Sequence, residues 1–106
     1  MLAALGYEIL DRNYRTRYGE LDIVAVDRDA LVFCEVRARV GTNAIAYAFE
    51  SIGPSKRLQL RKMAREWFRL RTEAQRPTNR TRFDAVAVAM TRDGRVLSIE
   101  HVRDAF

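Results

Sequence analysis

Polar and apolar residues alternate most cleanly between Gly19 and Arg39, a stretch reading GELDIVAV, DRDA and LVFCEVRAR. A period of two over both arms predicts two half-buried strands joined by a turn at Asp27–Ala30. With that turn, Val26 faces Leu31, Val24 faces Phe33, Asp22 faces Glu35 and Glu20 faces Arg37. Directly opposed residues of an antiparallel pair share a face, so two carboxylates are expected side by side with a third nearby. Before the hairpin, Tyr7–Arg15 reads as a strand and Thr16–Gly19 as a turn. Met1–Leu5 has the character of a last helical turn, with Gly6 as its cap. Beyond the hairpin, Val40–Asn43 breaks the pattern, and alanine-rich Ala44–Ile52 reads as either a short helix or an ordered loop.

The period changes to 3.6 after Gly53-Pro54-Ser55. Proline suits a first helical turn, with Ser51 or Ser55 as cap, and the helix is expected to run to about Gln75. Leu60, Met63, Ala64, Trp67 and Leu70 form its apolar stripe. Arg76–Thr81 is a loop. RFDAVAVAM is a strand, apolar on both faces toward its end and so expected to be central. A turn at Thr91–Gly94 leads into a last strand, Arg95–Val102. A helix joining two strands of one sheet makes a right-handed crossover with those strands parallel. An antiparallel meander feeding such a crossover predicts an α/β fold with a mixed sheet.

One domain fits 106 residues. The charge adds more. The chain carries a formal +5, and its basic residues are mostly arginine, the side chain suited to phosphate forks. Between Pro54 and Arg82 there are ten basic and two acidic residues, an excess of eight that exceeds the net charge of the whole chain. Arg57, Arg61, Arg65 and Arg69 recur every fourth residue, flanked by Lys56 and Lys62. They make a candidate polyanion-binding face, with a solvated helix face as the alternative. Cys34, the one cysteine, sits in an apolar strand, which excludes a disulfide framework and suits a small buried hydrophobe. His101, the one histidine, has no second ligand beside it in sequence and is expected to be structural. MLAALGYEIL lacks the charge and apolar core of a signal peptide, and no apolar run approaches membrane-spanning length, so a cytoplasmic protein without membrane contact is expected.

Paired carboxylates suit a hard cation, Mg²⁺ or Mn²⁺, which polarises a phosphoryl oxygen and acidifies a bound water. Beside a basic helix, that is the equipment of phosphodiester hydrolysis. The alternative is a pair of cross-strand ion pairs, Glu20 with Arg37 and Asp22 with Arg39, of small energetic value.

GYEILDRNYRTRYGELDIVAVD, LVFCEVRAR, the basic helix from Lys56, RFDAVAV and IEHVRDAF together resemble the YraN family of bacterial proteins, over essentially the whole chain. That family is similar to the restriction-endonuclease-like superfamily, with its αβββαβ core and Mg²⁺-dependent nuclease site; this chain adds a C-terminal strand. The resemblance implies Asp22 as a metal-binding acid and Glu35 as the carboxylate of the acid-x-lysine motif. It also implies Glu20 as a third acid and the main-chain carbonyl of Val36 as a further ligand. The lysine of the motif is Arg37 here. Arginine keeps its charge and cannot act as a base, which leaves Arg37 the roles of holding water or steadying charge, with Lys56 able to reach in from the helix. The family begins with a longer amino-terminal helix bearing an acidic residue. The resulting expectation is a nucleic-acid-binding protein, DNA or RNA, with a candidate endonuclease site at Asp22, Glu35, Glu20 and Arg37. Its binding face is Arg39, Lys56, Arg57, Arg61, Arg65 and Arg69. An inactive nucleic-acid-binding module and a protein-interaction scaffold are the alternatives, and a homodimer is one way for a small protein to address two strands.

Overall fold

In the computed structural model, residues 6–41, 43–72, 74, 78 and 80–106 are described. The strands are β1 (Glu8–Thr16), β2 (Gly19–Asp27), β3 (Ala30–Val40), β4 (Thr81–Met90) and β5 (Val96–Val102). The helices, α1 (Ala44–Ser51) and α2 (Pro54–Arg69), both fall between β3 and β4. The five strands form one sheet in the order β1-β2-β3-β4-β5. Its β3–β4 pairing is parallel and its other pairings are antiparallel. The mixed α/β architecture expected from the alternation is therefore present, and β4 is an interior strand.

Hairpin register follows the pattern of the sequence. Val26 pairs with Leu31, Val24 with Phe33, and Asp27 with Ala30 across a two-residue loop. Arg28 enters that loop at φ 56, the left-handed conformation such short loops demand. The β1–β2 connection is equally tight. Thr16 Oγ1 accepts the Tyr18 amide at 3.0 Å and donates to the Gly19 carbonyl at 2.9 Å, so Arg17 and Tyr18 stand out at the tip.

Apolar burial fixes where the helices lie. Leu60, Met63, Ala64 and Trp67 of α2 pack on Leu21, Val24, Val26, Leu31, Phe33 and Ala85. Phe33 is the hub of that layer, edge-on to Trp67 at 5.9 Å and stacked on Phe83 at 5.6 Å. Ala44 and Ala48 of α1 meet Ala87 and Ala89, where small residues on both sides allow close approach. Residues 85, 87 and 89 share a face of β4, so both helices cover the same side of the sheet. Tyr7, Ala25, Val32, Cys34 and Val86 form a second cluster on the other side.

Of the two readings of the alanine-rich stretch the structure takes the helix, and other expectations at the helices need correction. Ala44–Ser51 is a helix. Neither serine caps α2: Gly53 is its N-cap, Pro54 opens the first turn, and Ser51 Oγ donates to the Ala48 carbonyl instead. The helix stops at Arg69, not near Gln75, because Leu70 leaves the apolar stripe and is 55% exposed, with nothing to anchor another turn. Gly6 carries φ 86, as a helix-capping glycine does, while the helical turn expected at Met1–Leu5 lies outside the described residues.

Candidate metal and nucleic-acid site

The β2–β3 ladder ends at Ile23–Cys34, so neither the predicted Asp22–Glu35 pairing nor the Glu20–Arg37 pairing, one and three positions further on, forms, whereas β3 continues alongside β4 to Val40–Met90. A fork opens there between the start of β2 and the second half of β3. Alternation breaks at the same point. By parity Leu21 belongs on the face opposite Val24, yet it is fully buried with Val24 and Val26 in the core beneath α2. With the backbone turned, the Asp22 side chain lies across the fork, and its Oδ2 accepts the Val36 amide at 2.8 Å. The carboxylate thus takes the bond that a β2 main-chain carbonyl would otherwise accept.

Parity also directs the Val36 carbonyl. The Leu31 amide bonds toward β4, to the Arg80 carbonyl at 2.7 Å. Odd-numbered residues of β3 therefore address β4, and even-numbered ones, Val36 included, address β2 with both main-chain groups. Its N–H goes to Asp22 and its carbonyl points into the fork.

Glu35 stands beside this carboxylate on the helix-covered face, 3% exposed. Its Oε1 takes two cations, Arg37 Nη1 at 3.3 Å from the same strand and Lys56 Nζ at 3.6 Å from the first turn of α2. Among the described residues its Oε2 is buried with no hydrogen-bond partner, and so is Arg37 Nε. Burial pushes the Glu35 carboxyl above the usual range and the neighbouring Asp22 charge pushes it further, against the pull of Lys56 and Arg37. An unpartnered polar atom in the interior costs about 1–3 kcal/mol, a cost that in native proteins calls for an explanation.

Glu20 does not join the pair. Its side chain lies 3.7 Å from Arg15 across β1–β2, and the carboxylates of residues 20, 22 and 35 do not converge. Neither proposed cross-strand ion pair forms: Arg37 serves Glu35, and the Arg39 guanidinium lies over the Tyr47 ring of α1 at 5.0 Å. The predicted arginine row also divides. Arg57 Nε donates to the Ile52 carbonyl at 3.2 Å, Arg61 lies over Phe83, and Arg69 pairs with Glu66 at 3.0 Å. Arg65 is exposed.

A second polar centre lies on the opposite face and escaped sequence reasoning. Buried Asp84 accepts from Arg82 Nε at 2.9 Å and from the Asp104 amide at 3.0 Å, and it lies 2.7 Å from His101 Nε2. Arg82 reaches on to Asp27 at 3.0 Å and to the Tyr7 hydroxyl. Burial alone would raise the Asp84 pKa; the bonds from Arg82, the Asp104 amide and His101 outweigh it and hold the carboxyl low. Among the described residues, Cys34, Asp84 and His101 are the one set of three potential ligands within 4.8 Å of each other. A guanidinium already fills that carboxylate, and burial pushes the Cys34 thiol up to about 12, so the set is a structural ion network. His101 thus has Cys34 and Asp84 beside it, two potential ligands that its place in the sequence did not reveal.

What fold and fork define is a mixed α/β protein with two carboxylates and two cations gathered where two strands part. The chain belongs to the uncharacterised protein family UPF0102, the YraN family its motifs resemble; the family model matches residues 1–88. It is similar to UPF0102 proteins of Rhodococcus opacus, 47% identical over 99% of this chain and 85% of the relative. A relative from Moorella thermoacetica is 42% identical over 100% of this chain and 85% of its own length. One from Magnetococcus marinus is 45% identical over 100% of this chain and 82% of its own length. Among the described residues, no helix is long and apolar enough to cross a membrane.

Proposed function

We propose that this chain is a nucleic-acid-binding protein of restriction-endonuclease-like architecture whose fork holds Mg²⁺ or Mn²⁺ and hydrolyses phosphodiester bonds. The architecture is supported by the antiparallel β1-β2-β3 meander, the helical crossover and parallel β4, with β5 added at the edge. The observation that carries the reading is the Asp22 carboxylate bound to the Val36 amide beside a buried Glu35 whose Oε2 has no partner. Three oxygen donors, from Asp22, Glu35 and the Val36 carbonyl, fit a hard divalent cation. An ion bound there would supply Lewis-acid polarisation of the phosphoryl oxygen and a more acidic water. The donor set fits.

The protein's own groups take the remaining roles. Asp22 orients the fork through the Val36 amide. Glu35, its charge made costly by burial, is disposed toward cations. Lys56, already 3.6 Å from Glu35, is suited to orient a water in the absence of the motif lysine. Arg37 steadies negative charge developing on the phosphoryl group. Glu20, turned to Arg15, is left without a role.

Isothermal titration of Mn²⁺ into the protein, followed by a cleavage screen over branched, nicked, single-stranded and RNA substrates, tests the reading. Asp22→Ala is expected to abolish Mn²⁺ binding and cleavage while nucleic-acid affinity in chelator persists. Unchanged cleavage in that variant removes the assignment. The alternative, an inactive binding module, is favoured by the two cations already seated on Glu35 Oε1. Failure of both the wild type and Arg37→Lys to cleave any of these substrates would support it.

A further inference from the structure

Most arginines in this protein are engaged. Arg82 is shared between Asp84 and Asp27, Arg71 is bound by Asp11, and Arg80 and Arg95 pair with Asp29 and Asp93. One place differs. Between the β1–β2 turn and the outer face of α2 is a cavity of about 160 Å³ lined by Arg17, Tyr18, Lys62, Arg65, Glu66 and Arg69. It gathers four cations around one carboxylate. Glu66 bridges Arg17 at 3.7 Å and Arg69 at 3.0 Å, which holds both guanidinium groups at the wall. Among the described residues Arg65 has no ion-pair or hydrogen-bond partner, and the Lys62 ammonium has only the Tyr18 ring, 5.8 Å away. Arg17 lies over the same ring at 5.1 Å.

The turn is built to keep Tyr18 there. Thr16 closes it, Gln59 of α2 donates to the Tyr18 carbonyl, and Gly19 at φ 138 lets the turn approach Gln59 and Met63 closely. Tyr18 is nonetheless 37% exposed, an aromatic ring on the rim of a cationic cavity. Phosphate-sized anions answer the cations, and a base with an accessible face answers the ring. Duplexes bury their base faces.

We propose that this cavity seats one phosphate of an unpaired nucleic-acid strand, with the adjoining base stacked on Tyr18. The proposal rests on the nucleic-acid reading above and adds the form of the substrate.

The test is fluorescence anisotropy in chelator, with a labelled single-stranded oligonucleotide and the matching duplex. The wild type should bind the single strand more tightly. Tyr18→Ala should weaken single-strand binding by about 5- to 150-fold, the worth of one stacked base, with little change for duplex. Tyr18→Phe should restore it. Lys62→Ala with Arg65→Ala should weaken binding and reduce the slope of log K against log salt by about 1–2. Equal affinity for duplex and single strand, an unaffected Tyr18→Ala, or equally effective competition by polyglutamate would overturn the proposal. Because chelator removes the ion, loss of binding here is distinguishable from failure of the fork, which is read by Mn²⁺ titration and cleavage.

Discussion

Glu35 and Asp84 are both buried carboxylates, and their surroundings drive them in opposite directions. Asp84 receives three donors and its pKa falls; Glu35 keeps one oxygen unpartnered and its pKa rises. The consequences for stability have opposite signs. A carboxyl held low stabilises the fold above its unfolded pKa of about 3.9, and that contribution is lost as pH falls through the folded value. Asp84→Asn should therefore cost about 3–5 kcal/mol at pH 7, since it strands Arg82 and the Asp104 amide. The penalty should shrink in strong acid, as paired denaturation curves at the two pH values would show. For Glu35, whose folded pKa is raised, the favourable contribution is present below the unfolded pKa of about 4.3 and is lost as pH rises through the folded value. Glu35→Gln should then melt above the wild type at pH 8, the difference closing toward pH 4 in thermal scans. A lower melting temperature at pH 8 would mean that Lys56 and Arg37 outweigh the burial. Either residue could be picked from the sequence as an acid in a strand, but no local signal separated the satisfied one from the unsatisfied one. Each has an arginine two positions away, Arg37 and Arg82, while the partners that differ, Lys56, His101 and the Asp104 amide, lie 17 to 21 positions away.

Among the elements, the hairpin was legible and its end was not. The period of two gave the register from Asp27–Ala30 back to Ile23–Cys34 correctly. Extending it to Glu20–Arg37 failed because Leu21, drawn into the core beneath α2, turns the backbone out of its alternation. Ladder continuity lost to hydrophobic burial, and the same displacement carried Asp22 to the Val36 amide. The helix is a similar case. Its stripe was correct through Trp67, and its length was overstated because Leu70, next in the stripe, stands exposed. Gly19 ties the two elements together: a Cβ there would meet Gln59 Nε2 at 2.7 Å and Met63 Sδ at 3.3 Å, and φ 138 is unfavourable to any other residue. Gly19→Ala should destabilise by about 1–3 kcal/mol in chemical denaturation, and a neutral result would show that the turn can rebuild itself.

At the scale of the molecule, charge is sorted by location. The acids of β1, β4 and the β2–β3 and β4–β5 turns consume the arginines near them, and the surplus behind the net +5 collects along α2 and the β1–β2 turn. Binding that depends on this surplus should weaken steeply with salt: several phosphate contacts give a slope of log K against log salt steeper than about −2. Anisotropy titrations across a salt series read it directly. A flat slope would support a scaffold role for α2 in place of nucleic-acid binding.

By itself the sequence determined the order of the elements, the buried face of α2 and the family. These follow from spacing between near neighbours, where the periods of strand and helix act without help from the rest of the chain. Only the tertiary structure decided that Lys56 joins Glu35, that Glu20 is left out, and that Arg17 and Tyr18 meet Lys62 and Arg65 around a cavity. Those contacts span 21 to 48 positions, and their geometry is set by how one helix settles on one face of a twisted sheet, a matter of side-chain volume that no local pattern encodes.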